Sequence, residues 1–291
     1  MKIEQNVLIF GESADPTGTN VTTGYIDLAR CLSAVNAKSI AQTKRRDGKY
    51  KPLGYLVRVR ALSGTITVQS LNCGYPTRNS VVLAGGARDA MLKTAGVSRS
   101  NLESYQKELR LLMDGSMLAT GANSYFPGAS AVGTGSGGWG VGYDYDYTKL
   151  VINRPDGASD SITKAMAMLG NQDADEDNWD ADTRFYVVDN WLKFRHSFTP
   201  SATADDIANN VFSWAMQQGE TAGDIIDMQD DNADEKPYDL SQFTSETMLT
   251  TVSTSVGSPT SHVICAPLGL LKITSADPCS WEIEVVGVTE L

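Results

Sequence analysis

Residues 55–69 hold the pattern that most restricts the fold of this chain. In an extended conformation the segment places apolar side chains on one face, at Tyr55, Val57, Val59 and Ala61. Arg58 and Arg60 fall on the opposite face, and Ser63-Gly64 provides a turn before residues 65–69 alternate again. Because period-two alternation is typical of a strand with one buried face, the segment predicts a β-hairpin packed against a core.

Other segments also have the composition of short strands, namely residues 7–10, 22–28, 184–198, 247–253, 261–274 and 281–288. They do not alternate with helices at the spacing of about 30 residues that parallel α/β folds require. A chain of 291 residues is long enough for two domains. The pattern predicts an all-β fold of two tandem jelly-roll β-sandwiches with short helical insertions. One elaborated single jelly roll is the alternative.

The turn-forming stretch at residues 153–157 marks the predicted boundary, so the first jelly roll covers residues 1–152 and the second covers 153–291. In the first half, residues 79–95 have helical periodicity with Gly96 as a cap, and capping residues predict a second helix over residues 98–112. Together they form a predicted insertion at about residues 79–113. In the second half, residues 204–218 form the corresponding predicted helix.

Charge is divided unevenly between the two halves. Residues 1–150 contain 17 Lys and Arg against 11 Asp and Glu, a net charge of +6. Residues 151–291 contain 7 against 24, a net charge of −17. This asymmetry suits a component of an assembly that turns one side towards an anionic partner, and it argues against an enzyme built around one site.

A basic segment with a turn signal at Asp47-Gly48 is the main candidate site. Together with the outward arginines of the hairpin, its cations are Lys44, Arg45, Arg46, Lys49, Lys51, Arg58 and Arg60. We expect them on the inner or subunit-contact side of an assembly, facing packaged nucleic acid, lipid head groups or an acidic surface of another copy. An exposed loop and strand face without a partner is the simpler alternative.

Catalytic motifs are not found in the sequence. His196 and His262 have no motif partner, and no nucleophile elbow, zinc-protease helix or P-loop occurs. The glycine-rich stretch at residues 133–140 leads into alternating Tyr and Asp instead of a phosphate-binding helix. The acidic run at residues 173–182 lacks the Gly and Glu positions of an EF-hand, which favours a solvated loop over a calcium site. The sequence therefore predicts a protein that is not an enzyme and has no cofactor.

The cysteines and the apolar runs indicate in which cellular compartment the protein is expected. Cys31, Cys73, Cys265 and Cys279 form no C-x-x-C motif, which is typical of unpaired core residues in a reducing compartment. The apolar run at residues 7–10 is too short for a signal peptide, and no run approaches the ~20 apolar residues of a membrane span. We therefore expect neither secretion nor membrane insertion.

Four segments together resemble one family. They are the hairpin at residues 55–69, the helical stretch at 80–112 with its ARDAML run, the CAPLGLLKI segment at 265–273 and the WEIEV strand at 281–285. In layout the chain resembles the double jelly-roll major capsid proteins of tailless icosahedral viruses. That lineage includes adenovirus hexon and, closest in likeness, the capsids of small single-stranded-DNA phages such as the Finnlakeviridae.

The resemblance implies a structural major capsid protein in the virion, made in the host cytoplasm. It implies a homotrimer with a pseudo-hexameric outline, which contacts neighbouring capsomers and other virion proteins such as a penton or spike. Its inner face would meet the genome or an internal membrane. The first half yields fewer strand candidates than the eight of a complete roll, so a single elaborated roll remains open.

Aromatic residues near the glycine-rich stretch are candidate interface anchors, because aromatic side chains dominate interface energetics. They are Trp139, Tyr143, Tyr145 and Tyr147. The alternative function is a carbohydrate- or host-binding β-sandwich module, such as a virion spike or adhesin, in which the same side chains would form an exposed binding platform.

Overall fold

The structure is a computed structural model that describes residues 4, 6–11, 23–102, 107–117, 123–124, 147–153, 161–170, 184–196, 249–255, 263–275 and 279–291. Most of its regular structure is β-sheet. In chain order the elements are β1 (Val7–Gly11), β2 (Thr23–Asp27), α1 (Leu28–Asn36), β3 (Thr43–Arg46), β4 (Lys49–Ser63), β5 (Thr65–Leu71), α2 (Tyr75–Thr94), β6 (Leu112–Asp114), β7 (Asn123–Ser124), β8 (Lys149–Asn153), β9 (Ser161–Leu169), β10 (Arg184–Tyr186), α3 (Val187–His196), β11 (Leu249–Ser255), β12 (Val263–Pro267), β13 (Leu270–Ser275) and β14 (Ser280–Glu290).

Two sheets pack face to face as a β-sandwich. Sheet I has the order β1-β14-β4-β12, and sheet II has the order β11-β5-β13-β2-β7. The inward side chains of both sheets form one buried cluster, in which the largest fully buried side chain is Trp281, stacked on Phe10 with ring centroids 5.9 Å apart. The all-β sandwich predicted from the alternating segments is therefore present.

The strand pairs of the sandwich are nested. The first strand pairs with the last, β1 with β14, and the following pairs run inwards along the chain as β2 with β13, β4 with β12 and β5 with β11, all antiparallel. The four pairs follow one another as a long antiparallel ribbon. Pairing of β14 with β4 and of β13 with β5 joins its strands into the two sheets. Every pair of the ribbon therefore joins one strand from residues 1–152 to one from residues 153–291.

This pairing differs from the predicted division at residue 152. Two tandem sandwiches would keep the strands of each half together, whereas in the described chain both halves share both sheets. The reason is that apolar faces of short strands carry no information about which distant strand covers them. The chain leaves the sandwich after β5 and returns to it at β11, and the described parts of this insertion, except β7 in sheet II, form a separate unit.

That unit has its own core. β9 is the centre of sheet III, where it pairs with β10 and β6 in parallel and with β8 antiparallel. Helices α2 and α3 and sheet III surround a second buried cluster, which also contains Leu71 and Leu270 from sheet II. Tyr75 of α2 meets Trp191 of α3 edge to face, with ring centroids 6.0 Å apart. The second core therefore rests against the sandwich.

Helix α2 confirms the helix predicted at residues 79–95, although it begins four residues earlier. Pro76 fits the first turn, where its missing N–H costs nothing. At the other end Gly96 has φ 69° and donates to the Lys93 carbonyl, while Val97 donates to the Leu92 carbonyl. These two bonds form the Schellman motif that the capping glycine indicated.

Two other predictions in this region are wrong. Residues 98–112 form a single 3-10 turn at Arg99–Asn101 and the start of β6 in their described part, not a helix. Residues 184–198 do not form one long strand, because β10 ends at Tyr186 and α3 follows. The buried side chains of α3 include Val187, Val188, Trp191 and Leu192, which is helical spacing.

Further differences concern short elements. The predicted strand at residues 261–274 is two strands, because Leu268 (φ 61°) and Gly269 (φ 70°) form a turn between β12 and β13. Helix α1 was not predicted. Its signal is Asp27, whose carboxylate accepts a hydrogen bond from the Arg30 backbone N–H as an N-cap. The predicted helix at residues 204–218 lies outside the described residues.

Candidate functional site

The predicted basic segment is a two-stranded hairpin, called here the basic hairpin (residues 43–52). β3 pairs with the first residues of β4, and Asp47 (φ 52°) and Gly48 (φ 77°) form the two-residue turn. Both residues have the positive φ of a type I′ turn, for which Asp-Gly is a preferred sequence. The turn is as predicted, and it gathers all five cations of the segment, Lys44, Arg45, Arg46, Lys49 and Lys51, on one exposed projection.

One carboxylate from the far end of the chain faces three of these cations. Glu290 of β14 lies 2.8 Å from Lys51, 3.8 Å from Lys44 and 3.9 Å from Arg46, measured from carboxylate oxygen to side-chain nitrogen. The hydrogen bond from Lys51, followed by the charges of the cations, holds the pKa of Glu290 below its ordinary value. The carboxylate attaches the hairpin to sheet I but leaves the cations in excess.

The other face of the basic hairpin is organised by Tyr50. Its ring is buried, and its hydroxyl accepts hydrogen bonds from Arg88, at 2.9 Å, and from Arg99. The same hydroxyl donates to Asp89 at 3.1 Å. Arg45 and Arg99 both form ion pairs with Asp89, at 3.0 and 3.4 Å, so two guanidinium groups share one carboxylate. The result is a hydrogen-bonded, net positive surface at the junction of the basic hairpin and helix α2.

Removing the hydroxyl tests this organisation. We expect Tyr50→Phe to lower the free energy of unfolding by about 1–3 kcal/mol, because the buried Arg88 loses its hydroxyl acceptor while the ring still fills its space. Urea denaturation measures the change. Lys49→Ala on the same hairpin is the control and should stay within about 0.5 kcal/mol of the unmodified protein. An unchanged urea midpoint for Tyr50→Phe would show that the hydroxyl does not hold the surface together.

Arg58 and Arg60 belong to a different surface. Both are exposed on the outer face of sheet I, as the alternating pattern predicted. Their cross-strand neighbours are Glu284 and Glu282 of β14, and Arg58 forms an ion pair of 3.1 Å with Glu284. Opposite charges placed directly across a strand pair stabilise a sheet. This face is thus balanced in charge. The basic hairpin, with which the prediction combined Arg58 and Arg60 in one site, is not.

A buried polar cluster behind the hairpin was not predicted. Asp27 accepts hydrogen bonds from the Gln42 side chain at 2.9 Å and from the Tyr147 hydroxyl at 3.0 Å. Gln42 also donates to the carbonyl of Leu111 and accepts from its N–H. Thr43 makes the same two contacts with Leu109. Thr43 and Gln42 thus bind the N–H groups of Leu109 and Leu111, which a helix over residues 98–112 would have bonded internally.

Of the predicted interface aromatics, only Tyr147 lies within the described residues. Its side chain is 6% exposed and points into the second core, so it offers a partner almost no surface. The prediction is therefore wrong for this residue, because the Asp27 carboxylate and the surrounding apolar side chains hold the ring inside. Burial, followed by the charge of Asp27, raises its pKa well above the ordinary value. Trp139, Tyr143 and Tyr145 lie outside the described part of the chain.

A cleft of about 450 Å³ separates sheet II from sheet III. Asp114 lies in it, accepting hydrogen bonds from the Tyr25 hydroxyl at 2.8 Å and from the N–H groups of Ser116 and Met117. Lys272 lies 3.6 Å from the same carboxylate. Through these contacts Asp114 of β6 joins the second core to Tyr25 and Lys272 of sheet II.

Within the described ranges, no three His, Cys, Asp or Glu side chains are grouped so that they could hold a metal ion. The acidic run at residues 173–182, with its calcium alternative, lies outside those ranges. None of the helices that the structure describes has the length and apolar character needed to cross a bilayer.

Comparisons with known proteins gave no relationship for this chain: no family model, no curated protein and no solved structure matches it.

Proposed function

We propose that this chain is a structural coat protein, the major capsid protein of an icosahedral virus or phage, and that its sandwich is a single jelly roll. The nested pairing carries the proposal. Jelly rolls are eight-stranded double sheets. A long antiparallel ribbon of four nested pairs, β1/β14, β2/β13, β4/β12 and β5/β11, gives eight such strands when it folds over itself. β3 and β7 are additions to this plan.

An apolar strand at the edge of sheet I supports self-assembly. Among the described residues β1 pairs on one side only, with β14. Val7 and Ile9 project outwards from it and are 37% and 55% exposed. A sheet edge with exposed apolar side chains and no charge is a template for pairing with another chain, which monomeric proteins usually block. A neighbouring subunit that covers β1 would bury both side chains.

The charges support distinct roles for two surfaces. On the outer face of sheet I, arginines and glutamates alternate across strands, which suits a contact with a similarly mixed protein surface. The basic hairpin keeps an excess of cations over Glu290 and Asp89, which suits an anionic partner. In the proposed shell the hairpin faces inwards, towards the genome or an internal membrane, or towards an acidic surface of another copy.

The mass of the purified protein in solution, measured by light scattering, tests the proposal. A trimer has a mass of about 94 kDa, three times 31.3 kDa. With one sandwich per chain a trimer supplies three sandwiches, so a pseudo-hexameric outline would take six chains. A trimer, hexamer or closed particle supports the coat protein, and dissociation at near-physiological salt would assign part of the contact to charge. A strict monomer at high concentration contradicts the proposal.

Charge placed on β1 tests the proposed contact. We expect Ile9→Lys to shift the assembly to monomers, because burying an unpaired ammonium group in an interface costs far more than the contact supplies. The mass again measures the result, and circular dichroism checks that the sheet content is kept. Val97→Lys, at an exposed valine beyond the end of α2, is the control and should assemble normally. If Ile9→Lys assembles like the control, β1 is not part of the interface.

A further inference from the structure

Two cysteines that are distant in sequence meet where the chain leaves the sandwich. Cys73 follows the last residue of β5 by two positions, and Cys265 is the central residue of β12. The Cys73 sulfur lies 4.0 Å from the Cys265 carbonyl oxygen, so the Cys73 thiol contacts the backbone of the other cysteine. Cys31 and Cys279, in contrast, are buried separately in the sandwich core. None of the four forms a disulfide, as predicted, but the predicted core location holds only for Cys31 and Cys279.

The neighbouring residues hold the two thiols in this arrangement. The Ser70 hydroxyl donates to the Cys265 carbonyl at 3.3 Å, which joins the end of β5 to β12. A Cβ atom on Gly54 would lie 2.9 Å from the Cys265 sulfur, so glycine at that position leaves the space in which the sulfur lies. Cys73 is exposed and Cys265 is half-buried, so a small reagent in solution can reach the first thiol.

We propose that Cys73 and Cys265 form an intramolecular disulfide when the protein meets a low-molecular-weight disulfide such as oxidised glutathione. The bond would join the point where the chain leaves β5 to β12, a strand at the edge of sheet I. Because the Cys73 sulfur already contacts the Cys265 backbone, rotation of the two side chains brings the sulfurs towards the ~2 Å of a disulfide. The proposal concerns this thiol pair alone and does not depend on the coat-protein function.

The reaction takes two exchange steps. The Cys73 thiolate attacks one sulfur of the small disulfide, whose S–S bond breaks and releases one small thiolate that takes up a proton from water. Cys265 then gives its proton to solvent, and its sulfur attacks Cys73 in the mixed disulfide, releasing the second small thiol. The two protein thiols are oxidised to one disulfide, and the small disulfide is reduced to two thiols.

The electrostatics of the pair favour Cys73 as the first nucleophile. Interaction with the Cys265 thiol, followed by the charge of Arg78, lowers the pKa of Cys73 to about 7 against the opposing effect of partial burial. The same interaction raises the pKa of Cys265 above its ordinary value. At neutral pH a large share of Cys73 is therefore thiolate, the form that attacks disulfides.

Incubation of the reduced, folded protein with oxidised glutathione at neutral pH tests the proposal. We expect an intact mass lower by two hydrogen atoms, a peptide map that joins Cys73 to Cys265, and a single chain on a non-reducing gel. The bond would close a loop of 192 residues. Because a long closed loop restricts the unfolded chain, Tm should rise by roughly 5–10 °C.

Three variants separate the roles of the thiols. Cys265→Ser should stop at a stable glutathione adduct on Cys73, and Cys73→Ser should not react. Cys279→Ser, which removes a buried thiol, is the control and should form the disulfide like the unmodified protein. The proposal is overturned if the unmodified protein fails to react, keeps glutathione on Cys73, cross-links other cysteines or forms a covalent dimer.

Discussion

Gly85→Ala should lower the free energy of unfolding by about 2–3 kcal/mol, although alanine is the better helix former. Gly85 lies in the middle of α2, where the helix crosses the basic hairpin. A Cβ atom at this position would lie 2.2 Å from a ring carbon of Tyr50, with two further Tyr50 carbons within 2.9 Å. The buried ring cannot move aside without losing its contacts with Arg88 and Asp89, so the helix must shift instead.

The next residue provides a matched control. Gly86 is also in α2, is exposed, and has no atom within 4 Å of the position that a Cβ would take. Gly86→Ala should therefore raise the free energy of unfolding by about 0.5–1 kcal/mol, the ordinary difference between the two residues within a helix. Urea denaturation of both variants measures the contrast. Equal effects of the same sign at the two positions would contradict the close packing of α2 on Tyr50.

Local patterns in the sequence were sufficient for several elements. The alternation around Arg58 and Arg60 predicted which face of β4 is buried, and the alternation around Glu282 did the same for β14. Gly96 predicted where α2 ends. These features are determined by residues a few positions apart, so a local sequence pattern is enough to predict them.

Features that depend on distant partners were not predictable in this way. No local pattern pairs β1 with β14, and this long-range pairing is what joins the two halves into one sandwich. Helix α3 was mistaken for a strand because Val187, Val188 and Trp191 are residues that favour strands, although their spacing fits a helix. Burial of that helical face against α2 and β9 outweighs the propensity.

The candidate site shows the same division. The run of cations and the Asp47-Gly48 turn are visible in the sequence, so the basic hairpin could be predicted. Glu290, which faces three of its cations, is at the other end of the chain, and Asp89 is on a helix. Their positions follow only from the nested strand order and from the packing of Gly85 on Tyr50, and these determine how much positive charge the surface keeps.

Asp27→Asn should also be strongly destabilising, and we expect it to lower the free energy of unfolding by about 2–4 kcal/mol. One carboxylate oxygen caps α1 by accepting the Arg30 N–H at 3.1 Å. The other accepts from both Gln42 and Tyr147, and the residue is 4% exposed. In asparagine an NH₂ group replaces one acceptor, so at least one buried donor loses its partner and faces another donor.

The loss of stability should extend to the segment around Leu111, which Gln42 binds. Gln42 binds the N–H and the carbonyl of Leu111, so a rotated Gln42 side chain would release the strand that leads into β6. Hydrogen exchange should therefore speed up at the Leu111 amide more than at amides of β14. Asp47→Asn makes the same chemical change at an exposed turn that accepts asparagine, and it should stay within about 0.5 kcal/mol. If the two variants unfold at the same urea concentration, Asp27 does not join α1, the basic hairpin and the second core.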